Sequence, residues 1–165
     1  MTTQIGESFV GEGADAAHVN TVLGQRGGPV ETAWVTALAT PRAGHTPFVA
    51  TLQPGVAVRP HTLFVNKAAI DGARHAGLTW GAAQAGVAAG VMDAVADGVV
   101  SEDDAATHLL IAAVWVNPDA TDETAVFANN RAATREALRA GRAGAPSVED
   151  ALAVRDTTHN AFYRP

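Results

Sequence analysis

The chain has 165 residues, enough for one domain with a substantial hydrophobic core and too few for two comfortable ones. Its net charge is −6 and its lysines and arginines form no cluster, which argues against a nucleic acid or an anionic membrane surface as partner. The lack of cysteine excludes disulfides, a thiolate zinc site and a cysteine nucleophile.

Apolar residues make up 47% of the chain, but aromatic residues only 5%, so the predicted core consists mainly of alanine and valine. Small side chains bury less area per residue than leucine or phenylalanine, and self-association is therefore expected. No run approaches 18 apolar residues, and the first residues lack the basic and apolar regions of a secretory signal. We expect a cytoplasmic protein.

In chain order, the apolar patterning predicts strands and helices that alternate. The predicted strands cover residues 5–10, 17–23, 46–52, 62–66 and 108–116. The predicted helices cover residues 30–39, 71–75, 81–96 and 123–139, with a further short helix that starts at Ser101. Pro29 suits the first turn of the first helix, and Ser101 suits an N-cap. The alternation predicts a two-layer α/β or α+β domain and leaves the strand order open.

His18 is the first candidate for a catalytic residue, because it lies between two glycine-rich turns in a segment with few other reactive side chains. Histidine is the side chain that exchanges protons near neutral pH, which makes His18 a candidate general acid or base. A packed or solvated histidine is the alternative.

Lys67 is the only lysine among ten arginines and follows a predicted strand. Lysine and arginine are not equivalent donors, so one interpretation is that the function requires an ammonium or amine specifically at this position. The alternative is that GC-rich coding has replaced most lysines by arginine and left this one by chance. Gln84 is predicted near a helix N-terminus, where its amide could bind a ligand or be an ordinary exposed side chain. The other histidines lack zinc-site spacing, and no nucleophile elbow or phosphate-binding loop is present.

An ordered series of short motifs resembles the formaldehyde-activating enzyme family. It starts with G-E-x-x-V-G-x-G-x-x-x-A-H, which ends at His18, and with L-G-x-R-G-G-P-V-x-T-A. Each piece is weak, whereas the ordered series is specific and covers nearly the whole chain. Later pieces are Gly44-His45-Thr46-Pro47, Val65-Asn66-Lys67, Gly81-Ala82-Ala83-Gln84, Asp97-Gly98-Val99-Val100, Asn117-Pro118-Asp119-Ala120, Asn130-x-x-Ala133-Thr134 and Thr158-His159-x-x-Phe162.

The resemblance implies the condensation of formaldehyde with tetrahydromethanopterin to the methylene derivative and water, without a metal. It also implies an α/β sandwich similar to the second domain of ribosomal protein S5, in one domain over residues 1–165 with an extended tail from about residue 141. Members of the family form homopentamers, with the pterin between neighbouring subunits. The family's catalytic histidine matches His18, and its pterin-contacting lysine and glutamine match Lys67 and Gln84.

Other family positions differ in this chain. Asn20 replaces an aspartate, Val49 a leucine, Ala69 a threonine and Ala82 a proline at an expected helix start. An amide is neutral and donates as well as accepts, so Asn20 is the change with the largest expected effect on pterin binding. Loss of a charged hydrogen bond costs about 1.5–3 kcal/mol.

Three hypotheses follow. In the first, His18 protonates the leaving oxygen of a carbinolamine that formaldehyde forms with tetrahydromethanopterin or a close pterin. In the second, Asn20 and Ala69 adapt the enzyme to another amine, such as tetrahydrofolate. In the third, the protein binds formaldehyde or a pterin without catalysis.

Overall fold

The computed structural model describes residues 3–160 and 163–165, so Phe162 of the tail motif lies outside the described residues. The strands are β1 (Gln4–Val10), β2 (Ala17–Gln25), β3 (Phe48–Val49), β4 (Thr51–Gln53), β5 (Val56–Ala57), β6 (His61–Asn66) and β7 (His108–Trp115). The α-helices are α1 (Pro29–Ala39), α2 (Gly72–Gly77), α3 (Gln84–Ala96), α4 (Glu102–Thr107), α5 (Glu123–Ala143) and α6 (Val148–Ala153).

The chain forms a mixed α/β structure around a five-stranded sheet with the order β1-β2-β7-β6-β3. Strand β7 pairs antiparallel with β2 and parallel with β6, and β1 is an edge strand. Strands β4 and β5 form a separate hairpin. This order, which the sequence pattern left open, places β1, β2 and β7 side by side.

Helices α3 and α5 pack on one face of the sheet, and the main core lies between these two layers. Valines and alanines dominate this core, as predicted from the composition, together with Phe64, Leu23 and Leu110. Glycines allow the close packing of helix on helix. A Cβ atom on Gly86 or Gly90 of α3 would overlap a backbone carbonyl oxygen of α5.

The second face of the sheet is only partly covered. Helix α1 contacts β2 and β7, and Leu63 and Leu109 are buried on this side according to the strand register. Farther along β1, Ile5 and Phe9 remain 68% and 42% exposed. This face therefore combines apolar and polar side chains that are open to solvent or to a partner.

Two predicted elements differ from the structure. Residues 46–52 do not form one strand, because the fully buried Ala50 interrupts it: its N–H donates to Thr62, and its carbonyl accepts from Val58. The helix predicted from residue 81 has no start there. Helical backbone runs from Gly72 through a π-helical turn (Leu78–Ala83) directly into α3, so Ala82 does not occupy a helix N-terminus.

Two other predictions at helix N-termini, for Pro29 and Ser101, are confirmed. Pro29 occupies the first turn of α1, and the Ser101 hydroxyl accepts from the Asp104 N–H as the N-cap of α4. Val148, Leu152 and Val154 do not join the core: they are 78%, 54% and 59% exposed, and α6 contacts the following turn (Arg155–Thr157). Among the described residues, no helix is both long and apolar enough to cross a membrane.

An ion pair between α3 and α5 makes stability depend on pH. Arg131 donates two hydrogen bonds to the Asp93 carboxylate, at 2.6 and 2.8 Å, and these bonds hold the pKa of Asp93 below its ordinary value. A carboxylate with a lowered folded-state pKa stabilises the fold above its unfolded-state pKa, and this gain disappears as the pH falls through the folded-state value. Because the pair is partly exposed, we expect Asp93→Asn to cost about 1 kcal/mol or less at neutral pH. Urea unfolding at decreasing pH should show the two proteins converging; an unchanged difference in acid would contradict this assignment.

Candidate active site

His18 lies on the partly covered face, near the start of β2. The strand register places Phe9 of β1 and Trp115 of β7 directly opposite it on either side. The imidazole is about one third exposed, and its ring centroid is 6.0 Å from that of Phe9. His18 is thus held in a regular strand, as predicted, between two aromatic residues.

Lys67 follows β6 directly, and its side chain extends across β7 to His18 and Asn20 on β2. Its backbone N–H donates to the Val114 carbonyl at 2.7 Å, which continues the parallel pairing by one residue. Its Nζ atom donates to Asn20 Oδ1 at 2.6 Å and lies 3.3 Å from His18 Nδ1. Three predicted site residues, separated by up to 49 positions in sequence, are therefore in direct contact.

Glu7 completes this cluster, although it was not predicted from the sequence as a site residue. It faces Asn20 in the register of β1 and β2, and its Oε1 atom lies 2.9 Å from His18 Nε2. The signal was available, because residues 5–10 and 17–23 were both predicted strands and Glu7 belongs to the G-E that opens the family motif. Pairing the two strands as a hairpin would have placed Glu7 beside His18.

The hydrogen bonds restrict where the protons lie. Glu7 accepts, so His18 Nε2 carries a proton and donates to the carboxylate. Asn20 Oδ1 accepts from Lys67. At the contact between Lys67 Nζ and His18 Nδ1, a Lys67 N–H can donate to the imidazole, or a protonated Nδ1 can donate to a neutral amine.

Burial of Lys67 makes its ammonium form less favourable than that of an ordinary lysine. Desolvation lowers the pKa of Lys67, and the negative charge of Glu7 opposes the shift more weakly. Asn20, the closest hydrogen-bond partner, is neutral and adds no charge that would favour the ammonium. The cluster therefore contains an amine that gives up its proton more readily than an ordinary lysine.

A cleft adjoins the cluster. It has a volume of about 340 Å³ and is lined by Phe9, Gly11, Glu12, Gly13, Trp115, Asn117 and Arg164. Phe9 and Trp115, which flank His18 in the sheet, form part of its wall. A small molecule bound here would meet the two aromatic side chains that flank His18 in the sheet.

The other three predicted site residues lie elsewhere within the chain. Val49 is half-buried in β3, opposite Leu63, and Ala69 is exposed next to Gly44. Gln84 is neither at a helix N-terminus nor exposed. It is 8% exposed inside a continuous helix, and its Nε2 atom donates to the Thr51 carbonyl at 3.0 Å.

Comparison with known proteins identifies the class to which this fold and cluster belong. A family model described as formaldehyde-activating enzyme (Fae) matches residues 5–163. The chain belongs to this family. The match spans all four residues of the cluster, from Glu7 to Lys67.

Individual relatives agree with this. The chain is 43% identical over 162 residues to the 5,6,7,8-tetrahydromethanopterin hydro-lyase of Methanosarcina barkeri, which covers 98% of this chain and 91% of that protein. It is also 36% identical to the bifunctional enzyme Fae/Hps of M. barkeri and 33% identical to that of Archaeoglobus fulgidus. It spans only 38% and 41% of those two longer proteins.

Proposed function

We propose that this protein condenses formaldehyde with tetrahydromethanopterin, giving the methylene derivative and water. The observation that carries the proposal is the contact of His18 with Lys67, beside Glu7 and Asn20, on an open sheet face. The near full-length similarity to a protein named tetrahydromethanopterin hydro-lyase supports the choice of substrate. The aromatic walls of the adjoining cleft suit a flat heterocycle.

The chemistry needs an acid more than it needs a strong nucleophile. Formaldehyde adds readily to a secondary amine and forms a carbinolamine, whose hydroxyl must then leave as water. His18 donates the proton to that hydroxyl, and a second nitrogen of the pterin closes the ring and returns a proton. Glu7 orients the imidazole through Nε2. Such acid catalysis contributes about 10²–10⁴-fold, and holding both reactants together adds to it.

The amine substrate is tested by a direct comparison. Formation of the methylene product from formaldehyde should be measured with tetrahydromethanopterin and with tetrahydrofolate, each with and without the protein. We expect acceleration with tetrahydromethanopterin. Acceleration with tetrahydrofolate alone would show that tetrahydrofolate is the cosubstrate. Binding of a pterin without acceleration would show that the protein binds the pterin without catalysis.

Asn20 and Ala69 are expected to set how tightly the pterin is held. The double variant Asn20→Asp, Ala69→Thr restores a carboxylate and a hydroxyl that can bond to ring N–H groups. We expect the KM for tetrahydromethanopterin to fall about ten- to a hundredfold, the value of one charged hydrogen bond. Ala68→Thr, one position away, is the matched control. An unchanged KM in the double variant would show that neither residue contacts the pterin.

We also propose that the protein is a homopentamer whose sites lie between subunits. The exposed apolar residues Ile5 and Phe9 lie on the face that carries His18, and Val35 and Leu38 of α1 are 53% and 39% exposed. Association would cover them. It would also let Val49, Ala69 and Gln84 act in the site of a neighbouring subunit. Light scattering tests the assembly; a monomer at working concentration would contradict it.

The remaining parts of the proposal concern the whole chain. We propose that residues 1–165 form one domain of the ribosomal protein S5 domain 2 type, with an extended tail. The two-layer packing of α3 and α5 on a mixed sheet supports this fold, and the exposure of residues 144–160 supports the tail. We place the enzyme in the cytoplasm because its composition is acidic and free of cysteine. The pterin is a cosubstrate, and no metal enters the proposed chemistry.

A further inference from the structure

We infer that Lys67 is a catalytic nucleophile: its Nζ amine captures formaldehyde covalently, next to His18, and passes the carbon to the pterin. The inference rests on the proposed function and changes its first step, because the carbinolamine that His18 dehydrates forms on Lys67 before the carbon reaches the pterin. Formaldehyde has a single oxygen and no further group by which a site could hold it. A covalent bond to an amine can hold formaldehyde even though the molecule is too small to make many noncovalent contacts.

The surroundings of Lys67 suit a nucleophile better than a salt-bridging cation. No carboxylate contacts its Nζ atom among the described residues; its partners are the Asn20 amide oxygen at 2.6 Å and His18 Nδ1 at 3.3 Å. The nearest acidic side chain in the cluster, Glu7, is engaged with the far nitrogen of the imidazole. Burial of the amine, which lowers the pKa of Lys67, acts in the same direction.

His18 is placed to take the proton that makes the amine reactive. When the proton between the two nitrogens moves to Nδ1, Lys67 becomes a neutral amine that still donates to Asn20. The imidazolium then donates through both nitrogens, to Lys67 and to Glu7. One proton transfer thus creates the nucleophile and the acid together.

The steps balance without any further reagent. The Lys67 amine adds to formaldehyde, and its proton moves to the oxygen, giving a carbinolamine. His18 gives its proton to that hydroxyl, water leaves, and a Lys67 iminium remains. A pterin N–H nitrogen adds to the iminium carbon and passes its proton to Lys67, which leaves as the free amine. The second pterin nitrogen closes the ring and releases its proton to His18, so both side chains are regenerated.

Reductive trapping tests the capture step. Cyanoborohydride reduces an iminium to a methylamine, and Lys67 is the only lysine of the chain, so one peptide reports the adduct. The protein should be treated briefly at neutral pH with formaldehyde and cyanoborohydride, without a pterin, and mapped by mass spectrometry. Arg42→Lys supplies an exposed reference amine in the same molecule. We expect methylation of Lys67 to exceed that of the reference lysine several-fold.

Two substitutions test the assignment further. Asn20→Asp places a carboxylate beside Nζ and favours the ammonium, so trapping of Lys67 should fall at neutral pH and recover as the pH is raised. Lys67→Arg keeps the positive charge and cannot form the iminium, so pterin condensation should fall sharply in kcat. The KM for the pterin, which this lysine is expected to contact, reports any loss of binding separately. Circular dichroism establishes that both variants are folded.

The outcomes separate this inference from the proposed function. If the protein condenses formaldehyde with the pterin, but Lys67 traps no faster than the reference lysine or Lys67→Arg retains full kcat, the inference is wrong and the function stands. If Lys67 is trapped selectively but no pterin is turned over, the proposed function is wrong and only the capture step stands.

Discussion

His18→Ala is expected to lower the rate of methylene-tetrahydromethanopterin formation about 10²–10⁴-fold, close to the spontaneous reaction. The physical reason is that loss of water from a carbinolamine needs a proton, and the imidazole beside Lys67 is the group positioned to supply it. The rate should be measured at saturating formaldehyde and pterin, with the spontaneous rate subtracted.

His108→Gln is the matched control for this substitution. His108 lies at the other end of the sheet, where it contacts Asp104 and Thr107, so its replacement should leave kcat unchanged. If His18→Ala retained full activity, or if His108→Gln lost as much, His18 would not be the acid.

Gly6→Ala is expected to destabilise the fold by at least about 3 kcal/mol, because overpacking without room to relax exceeds the usual 1–3 kcal/mol. Strand β1 lies so close to α5 that a Cβ atom on Gly6 would overlap the carbonyl oxygen of Ala137, which is backbone and cannot rotate away. At about 2–4 °C per kcal/mol for a chain of this size, Tm should fall by about 6–12 °C. Differential scanning calorimetry gives this value.

Gly77→Ala shows whether the effect comes from packing. Gly77 has helical backbone angles, is exposed and has no atom near the position of its missing Cβ. Alanine there should stabilise the protein by about 0.5–1 kcal/mol through helix propensity. A stable Gly6→Ala protein would mean that β1 is not packed on α5 as described.

Local sequence patterns predicted most of the elements but not how they meet. The alternation in residues 5–10 and 17–23 and the apolar run from His108 correspond to β1, β2 and β7, because each pattern reports burial on one or both faces of a strand. The side-by-side order of these strands depends on packing across the whole chain. The contact of Lys67 with His18 also depends on β6 lying on the other side of β7, and no local sequence pattern predicts it.

Two predictions failed for the same reason. Gln84 was placed near a helix N-terminus because the predicted helix began at residue 81. The π-helical turn, whose residues are mostly buried, instead continues the helix through Gly81 into α3. Ala50 lies in an apolar segment that resembles one strand, but its N–H donates to Thr62 of β6 and its carbonyl accepts from Val58, just after β5. In both cases tertiary packing outweighs a local preference.

The dependence of product formation on protein concentration tests the central claim most directly. Formaldehyde and tetrahydromethanopterin should be mixed at fixed concentrations with increasing amounts of the wild-type protein, and the initial rate of methylene-tetrahydromethanopterin formation recorded. The account predicts a rate that rises in proportion to the protein and extrapolates to the spontaneous rate without it. A rate that stays at the spontaneous value at every protein concentration would contradict it.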